Sequence, residues 1–205
     1  MVNGVMVNGV MVNENKKKHM RIIGISCLSI MVICLLGACS AEKKSKNWSE
    51  KLRSVEKWEN FELQGNKGKA AFPQRPVSKT TAYSADINSL ENYVMSDSVT
   101  YSVTIFENKT LKTAEDWKNF LEKEVLAFKA IERRKIKISG RDAVLSKVRQ
   151  ADLCGYSINM IVDNKYVANI AIRYKGDFPT EKLLMAFAEK VKFDIADKAP
   201  KKELE

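Results

Sequence analysis

The chain has 205 residues and carries 35 Lys and Arg against 25 Asp and Glu, a formal charge of +10 at neutral pH. That length suits one domain of ordinary size, able to bury about two-thirds of its unfolded surface without covalent staples. The basic excess invites a nucleic-acid partner, but no basic run is interleaved with aromatic residues, so that class is set aside.

The N-terminus repeats itself. Met1-Val2-Asn3-Gly4-Val5 recurs as Met6 to Val10 and starts again at Met11-Val12-Asn13 before breaking at Glu14. A solenoid repeat needs ~20 residues or more, so this unit reads as a duplicated or over-extended start, with Met11 and Met20 as alternative initiators. Lys16, Lys17, Lys18 and Arg21 then form a basic segment ahead of an uncharged run, Ile22 to Leu36. Positive charge holds that end in the cytoplasm while the apolar stretch enters the bilayer. No charge appears from Ile22 through Ala41, which is long enough for an uncleaved anchor helix across a ~30 Å core. The ending of the run favours cleavage instead, because Gly37 and Ala38 suit a peptidase pocket that rejects bulk.

Leu36-Gly37-Ala38-Cys39 resembles the lipobox of bacterial lipoproteins. The resemblance implies that residues 1–38 are a signal peptide, recognised through Leu36, Gly37 and Ala38. It also implies that Cys39 becomes the N-terminus, carrying diacylglycerol and an acyl chain as the only added groups. Ser40, rather than Asp, follows Cys39. In a bacterium with two membranes that resembles cargo of the outer membrane, whereas with one membrane it means the outer leaflet of the plasma membrane.

Removal of the leader leaves 167 residues with 31 basic and 24 acidic side chains, a formal +7. Anionic membrane, an envelope polymer or a merely solvated surface are the readings of that charge. Cys27 and Cys34 leave with the leader and Cys39 is consumed by lipid, so Cys154 is the one free thiol, and a disulfide framework within the molecule is excluded. Cys154, with no adjacent cation in sequence, reads as a small filler at the start of a strand. The sole histidine, His19, also leaves, which removes Ser-His-Asp and Cys-His catalysis and ordinary zinc or copper sites.

The mature chain opens with a basic tether, residues 39–47, in which Lys43, Lys44 and Lys46 either touch anionic headgroups or keep the segment soluble. A single domain over residues 48–196 follows, then a charged tail, 197–205. Trp48, Leu52, Val55 and Glu59, with Trp58 beside them, predict a short amphipathic helix that docks on its own domain or lies at the membrane surface. Phe61-Glu62-Leu63 and Lys69 to Phe72 flank the turn Gln64 to Gly68 and predict a hairpin, ended by Pro73 and Pro76. Val77 to Ser84 and Asn92 to Met95 are weaker strand segments. Thr100 to Phe106 is stronger, with Tyr101, Val103 and Ile105 alternating against hydroxyl residues.

The period then changes. Thr113 with Asp116 three residues on is an Asp version of the capping box, and Trp117, Phe120, Leu121, Val125 and Phe128 recur at helical spacing, predicting a helix from Ala114 to Ile131. Lys135 to Ser139 and Ala143 to Arg149 flank Gly140-Arg141-Asp142, and Tyr156 to Val162 and Tyr166 to Tyr174 flank Asp163-Asn164-Lys165, giving two more hairpins. After Phe178-Pro179-Thr180, residues Leu183, Leu184, Phe187, Ala188 and Val191 stripe a last helix. The expected class is α+β, an antiparallel sheet covered by amphipathic helices.

Three segments carry a fold resemblance: Gly68-Lys69-Ala70-Ala71-Phe72-Pro73, Ile138-Ser139-Gly140-Arg141, and Val162-Asp163-Asn164-Lys165-Tyr166. With the element order they resemble the PsbP-like α/β/α sandwich over about Phe61 to Phe193. That fold serves photosystem accessory subunits and small protein-binding factors, and the resemblance implies a docking module rather than an enzyme. None of that group's metal-binding residues can be placed on this chain.

Few residues of the folded part suggest chemistry. Lys118, Glu122, Lys123 and Glu124 have the spacing of a solvated helix face. Arg133, Arg134, Lys135 and Lys137 form a candidate patch for an acidic envelope partner. Asp86, Glu91 and Asp97 lie in a loop-rich stretch but lack the dense alternating oxygens of a calcium loop, and no Ser-Lys spacing stands out. The expectation is a membrane-tethered, non-catalytic binding or assembly module. A hydrolase using paired carboxylates or a Ser-Lys pair is the alternative, favoured only by a deep cleft holding two close acids.

Overall fold

The computed structural model describes residues 47–127 and 129–194. The leader, Cys39, the tether through Lys46, Phe128 and the tail lie outside the described residues. Those described belong to one compact unit.

The first helix, α1 (Trp48–Ser54), is capped by Asn47, whose side chain accepts from the Glu50 amide, and it runs into a 3-10 turn at Val55–Lys57. Trp48 stands edge-on to Tyr174 at 5.2 Å, and Trp58 meets Tyr101 and Phe187, so these aromatics turn inward onto the domain. Strands β1 (Glu59–Glu62) and β2 (Gly68–Phe72) form the expected hairpin. Gly68 has φ +130°, and a Cβ there would stand 2.1 Å from the Lys192 carbonyl, so only glycine permits the close pairing with the last strand.

A larger sheet follows. Strands β3 (Val77–Ala82), β4 (Ile87–Ser96) and β5 (Val99–Asn108) form one antiparallel meander. Strands β6 (Glu132–Ile138), β7 (Arg141–Gln150), β8 (Leu153–Val162) and β9 (Tyr166–Lys175) form a second. Strand β9 returns to pair with β5, giving the order β3-β4-β5-β9-β8-β7-β6 and leaving β3 and β6 at the edges. Then come α3 (Glu181–Glu189), where Thr180 stands at the N-cap, and β10 (Val191–Phe193), which joins β2 and completes a three-stranded sheet, β1-β2-β10. The class is α+β, with antiparallel sheet as its main component.

Helix α2 (Ala114–Phe120) and a π-helical turn (Leu121–Val125) cross from β5 to β6. The capping box forms as expected: Thr113 accepts from the Asp116 amide at 3.1 Å, and the Asp116 carboxylate accepts from the Thr113 amide at 2.9 Å. The helix does not reach Ile131. The wider π turn ends the repeat at Val125, and β6 begins at Glu132, ahead of the expected strand start at Lys135, so that Arg133 and Arg134 already belong to it.

One side of the large sheet carries Val94, Tyr101, Val103, Ile105, Leu145, Ile158, Met160, Ile170 and Ile172, all buried. Phe187 of α3 is fully buried there, with its ring 5.5 to 5.8 Å from Trp58, Phe72 and Tyr101, so one side chain joins the helix to both sheets. The other side is more polar. Ser89, Glu91, Ser102, Thr104, Ser146, Ser157, Asn159 and Asn169 line it and are buried, with Asn169 donating to Asn159 at 2.7 Å. Arg133 stands on this side by register with Ser146 and donates to the Leu126 carbonyl at 2.7 Å, so the crossover passes over it.

Candidate functional site

The four cations proposed as a patch all lie on β6, an edge strand that among the described residues pairs only with β7. Alternation along the strand divides them. Arg133, Lys135 and Lys137 point to one side, while Arg134 turns to the other and bonds Glu181 at the start of α3. Arg133 is tied to the Leu126 carbonyl, and Lys137 lies 2.8 Å from Asp142, whose carboxyl it holds below the ordinary range through a hydrogen bond and its charge. The sequence run is therefore a three-cation stripe at i, i+2 spacing, whose Arg133 and Lys137 already have partners within the domain, with Arg134 on the opposite side. The sequence places only Lys135 to Ser139 in a strand and leaves Arg133 and Arg134 in the connection after the helix, so the alternation that divides the four cations is hidden.

On the Arg134 side, Glu132, Arg134, Leu145, Lys147, Tyr156 and Glu181 line a cavity of about 40 Å³. Lys147 lies 4.6 Å from the Phe178 ring centre and Arg149 lies 5.1 Å from it, a cation-aromatic cluster beside the opening. Two carboxylates thus share a cavity, as the hydrolase alternative requires. The space holds on the order of three waters, against ~300 Å³ or more for an ordinary small-molecule site, and Glu181 is engaged by Arg134.

Two residues are placed differently from expectation. Cys154 was read as lacking a neighbouring cation, yet β7-β8 register sets Arg149 opposite it, with Nε 3.2 Å from the sulfur. A cross-strand neighbour five residues away is invisible to a local reading. Glu91, assigned to a loop, is 5% exposed in the middle of β4. Burial raises its carboxyl above the ordinary value, partly offset by Arg173 and Lys79. Asp97 occupies the β4-β5 turn and pairs with Lys51, and Asp86 lies in the β3-β4 turn, so the three acids do not converge. Among the described residues no group of His, Cys, Asp or Glu is gathered to hold a metal, and no helix is long and apolar enough to cross a membrane.

Sequence reasoning missed the buried polar row on the second side of the sheet, although the alternation Ser102, Thr104 and Ser157, Asn159 was its signal. Comparison with protein families, curated proteins and solved structures finds no match to this chain.

Proposed function

We propose that this chain is a bacterial envelope lipoprotein, lipid-anchored at Cys39, whose folded part is a non-catalytic module that binds an acidic envelope protein. The lipobox-like Leu36-Gly37-Ala38-Cys39 after an uncharged run supports the anchor, and Ser40 favours the outer membrane where the host has two. In this reading the protein faces the periplasm or the cell surface and needs no cofactor beyond its lipid. Two antiparallel meanders joined by a crossover helix and closed by α3 support the PsbP-like arrangement as the finer description of the fold.

The observation that carries the binding role is the edge of β6, unpaired among the described residues, which bears Arg133, Lys135 and Lys137 on one side. Alternate residues of a strand repeat every ~6.8 Å, so acidic side chains at i, i+2 in an extended partner segment match this stripe while backbone groups pair along the edge. The small cavity and the Arg134-Glu181 pair weigh against the hydrolase alternative.

Cross-linking in intact envelopes followed by affinity capture tests this role. Combined Arg133→Glu, Lys135→Glu and Lys137→Glu substitutions are expected to lower recovery of the cross-linked partner about tenfold, whereas Lys165→Glu leaves it unchanged. Equal recovery from both variants would contradict binding through β6.

A further inference from the structure

Apolar side chains exposed one at a time are ordinary on a protein surface. Among the described residues the large ones left exposed are Val77, Met95 and Ile131, at 55%, 45% and 59%, and although they span the sheet from edge to edge they lie toward one end of its strands. Met95 pairs with Thr100, the second residue of β5. Val77 pairs with Tyr93, which faces Ser102. The Ile131 amide bonds the Lys147 carbonyl, one residue before β6 begins. All three therefore stand at the end of the large sheet where β5 starts.

The chain comes in at that same end. Trp48 stands edge-on to Tyr174, the partner of Val99, and Lys51 lies 2.8 Å from Asp97 in the β4-β5 turn. The opposite end carries the polar turns at Ser139-Gly140 and Asp163-Asn164, and the chain leaves there, with the Asp194 amide on the Lys67 carbonyl.

We propose that this end of the domain, carrying Met95, Ile131 and Val77, is a docking surface for an anionic lipid bilayer. The inference rests on the lipoprotein reading, since the anchor supplies proximity. Eight residues from Cys39 to Asn47 span less than ~29 Å, whereas a ten-residue strand is ~33 Å long. A domain standing on its far end would lift Asn47 beyond the reach of the tether, so the end that bears α1 faces the membrane. The chemistry of the surface agrees. Exposed Arg75 precedes Val77 by two residues, exposed Lys129 precedes Ile131 by two, and the tether adds Lys43, Lys44 and Lys46. Of the acids at this end, Asp97 and Asp152 are paired with Lys51 and Lys175, which lessens their repulsion of lipid phosphates, while Asp177 and Glu132 are exposed beside Lys175 and Lys129.

The test uses the full-length acylated protein in vesicles of phosphatidylethanolamine and phosphatidylglycerol. A fluorophore is placed at Met95→Cys, Ile131→Cys or, at the far end, Lys165→Cys, Cys154 being buried. Nitroxide on the lipid headgroups is expected to quench the first two labels ~3-fold or more above the third. Equal quenching on protein whose mass shows acylated Cys39 would overturn the docking surface and leave the lipoprotein reading standing. Shielding of the first two labels only after envelope proteins are added would overturn it in favour of a protein partner. A mass showing unmodified Cys39 would remove both readings.

Discussion

Glu91 is the least comfortable residue of the fold, a carboxyl in the middle of β4 between Lys79 of β3 and Thr104 of β5. Burial raises its folded-state pKa above the unfolded value. Its contribution to stability is therefore fully present below the unfolded pKa and is lost as pH rises through the folded one. Glu91→Gln is expected to raise the thermal midpoint near neutral pH, with the gap to the parent closing below about pH 4, and calorimetry across that range checks it. A gap independent of pH would show that charge is not the cause. Thr113 acts oppositely, since its hydroxyl and amide serve both halves of the capping box. Thr113→Ala is expected to cost about 1 kcal/mol in denaturant melts, and Thr113→Ser much less.

At the scale of elements, what the sequence made legible followed from how local each signal was. The Thr113-Asp116 cap and the apolar stripe of α3 are contained in a few residues and were readable. The length of β4 was not, because only Asn92 to Met95 read as strand, and Asn88, Ser89 and Glu91 look like loop until β3 and β5 are seen to pair with them on both sides. Val191 fitted the stripe of α3 but belongs to β10, whose partner β2 lies over 120 residues earlier in the chain. The patch on β6 was legible as composition but not as geometry, since its division between two sides depends on strand alternation. The element most dependent on tertiary packing is α3, held by Phe187 against both sheets. Phe187→Ala is expected to cost roughly 3–5 kcal/mol of global stability, loosening β10 together with α3 in hydrogen exchange. Loss of protection in α3 alone would show that the two sheets are joined elsewhere.

The whole molecule, in our account, is a domain standing on a membrane: anchored at Cys39, oriented by the end that bears α1, and offering β6 laterally to an acidic partner. One apolar cluster joins both sheets and α3, and the cavity beside Arg134 and Glu181 is small for a small-molecule site. Every part of this arrangement depends on the anchor. The most direct measurement is the intact mass and N-terminal peptide of protein extracted from membranes, set beside a Cys39→Ala variant. The account predicts an N-terminus at Cys39 carrying diacylglycerol and acyl mass, absent from the variant, which would keep its leader. An uncleaved leader with unmodified Cys39 in the parent would contradict the account.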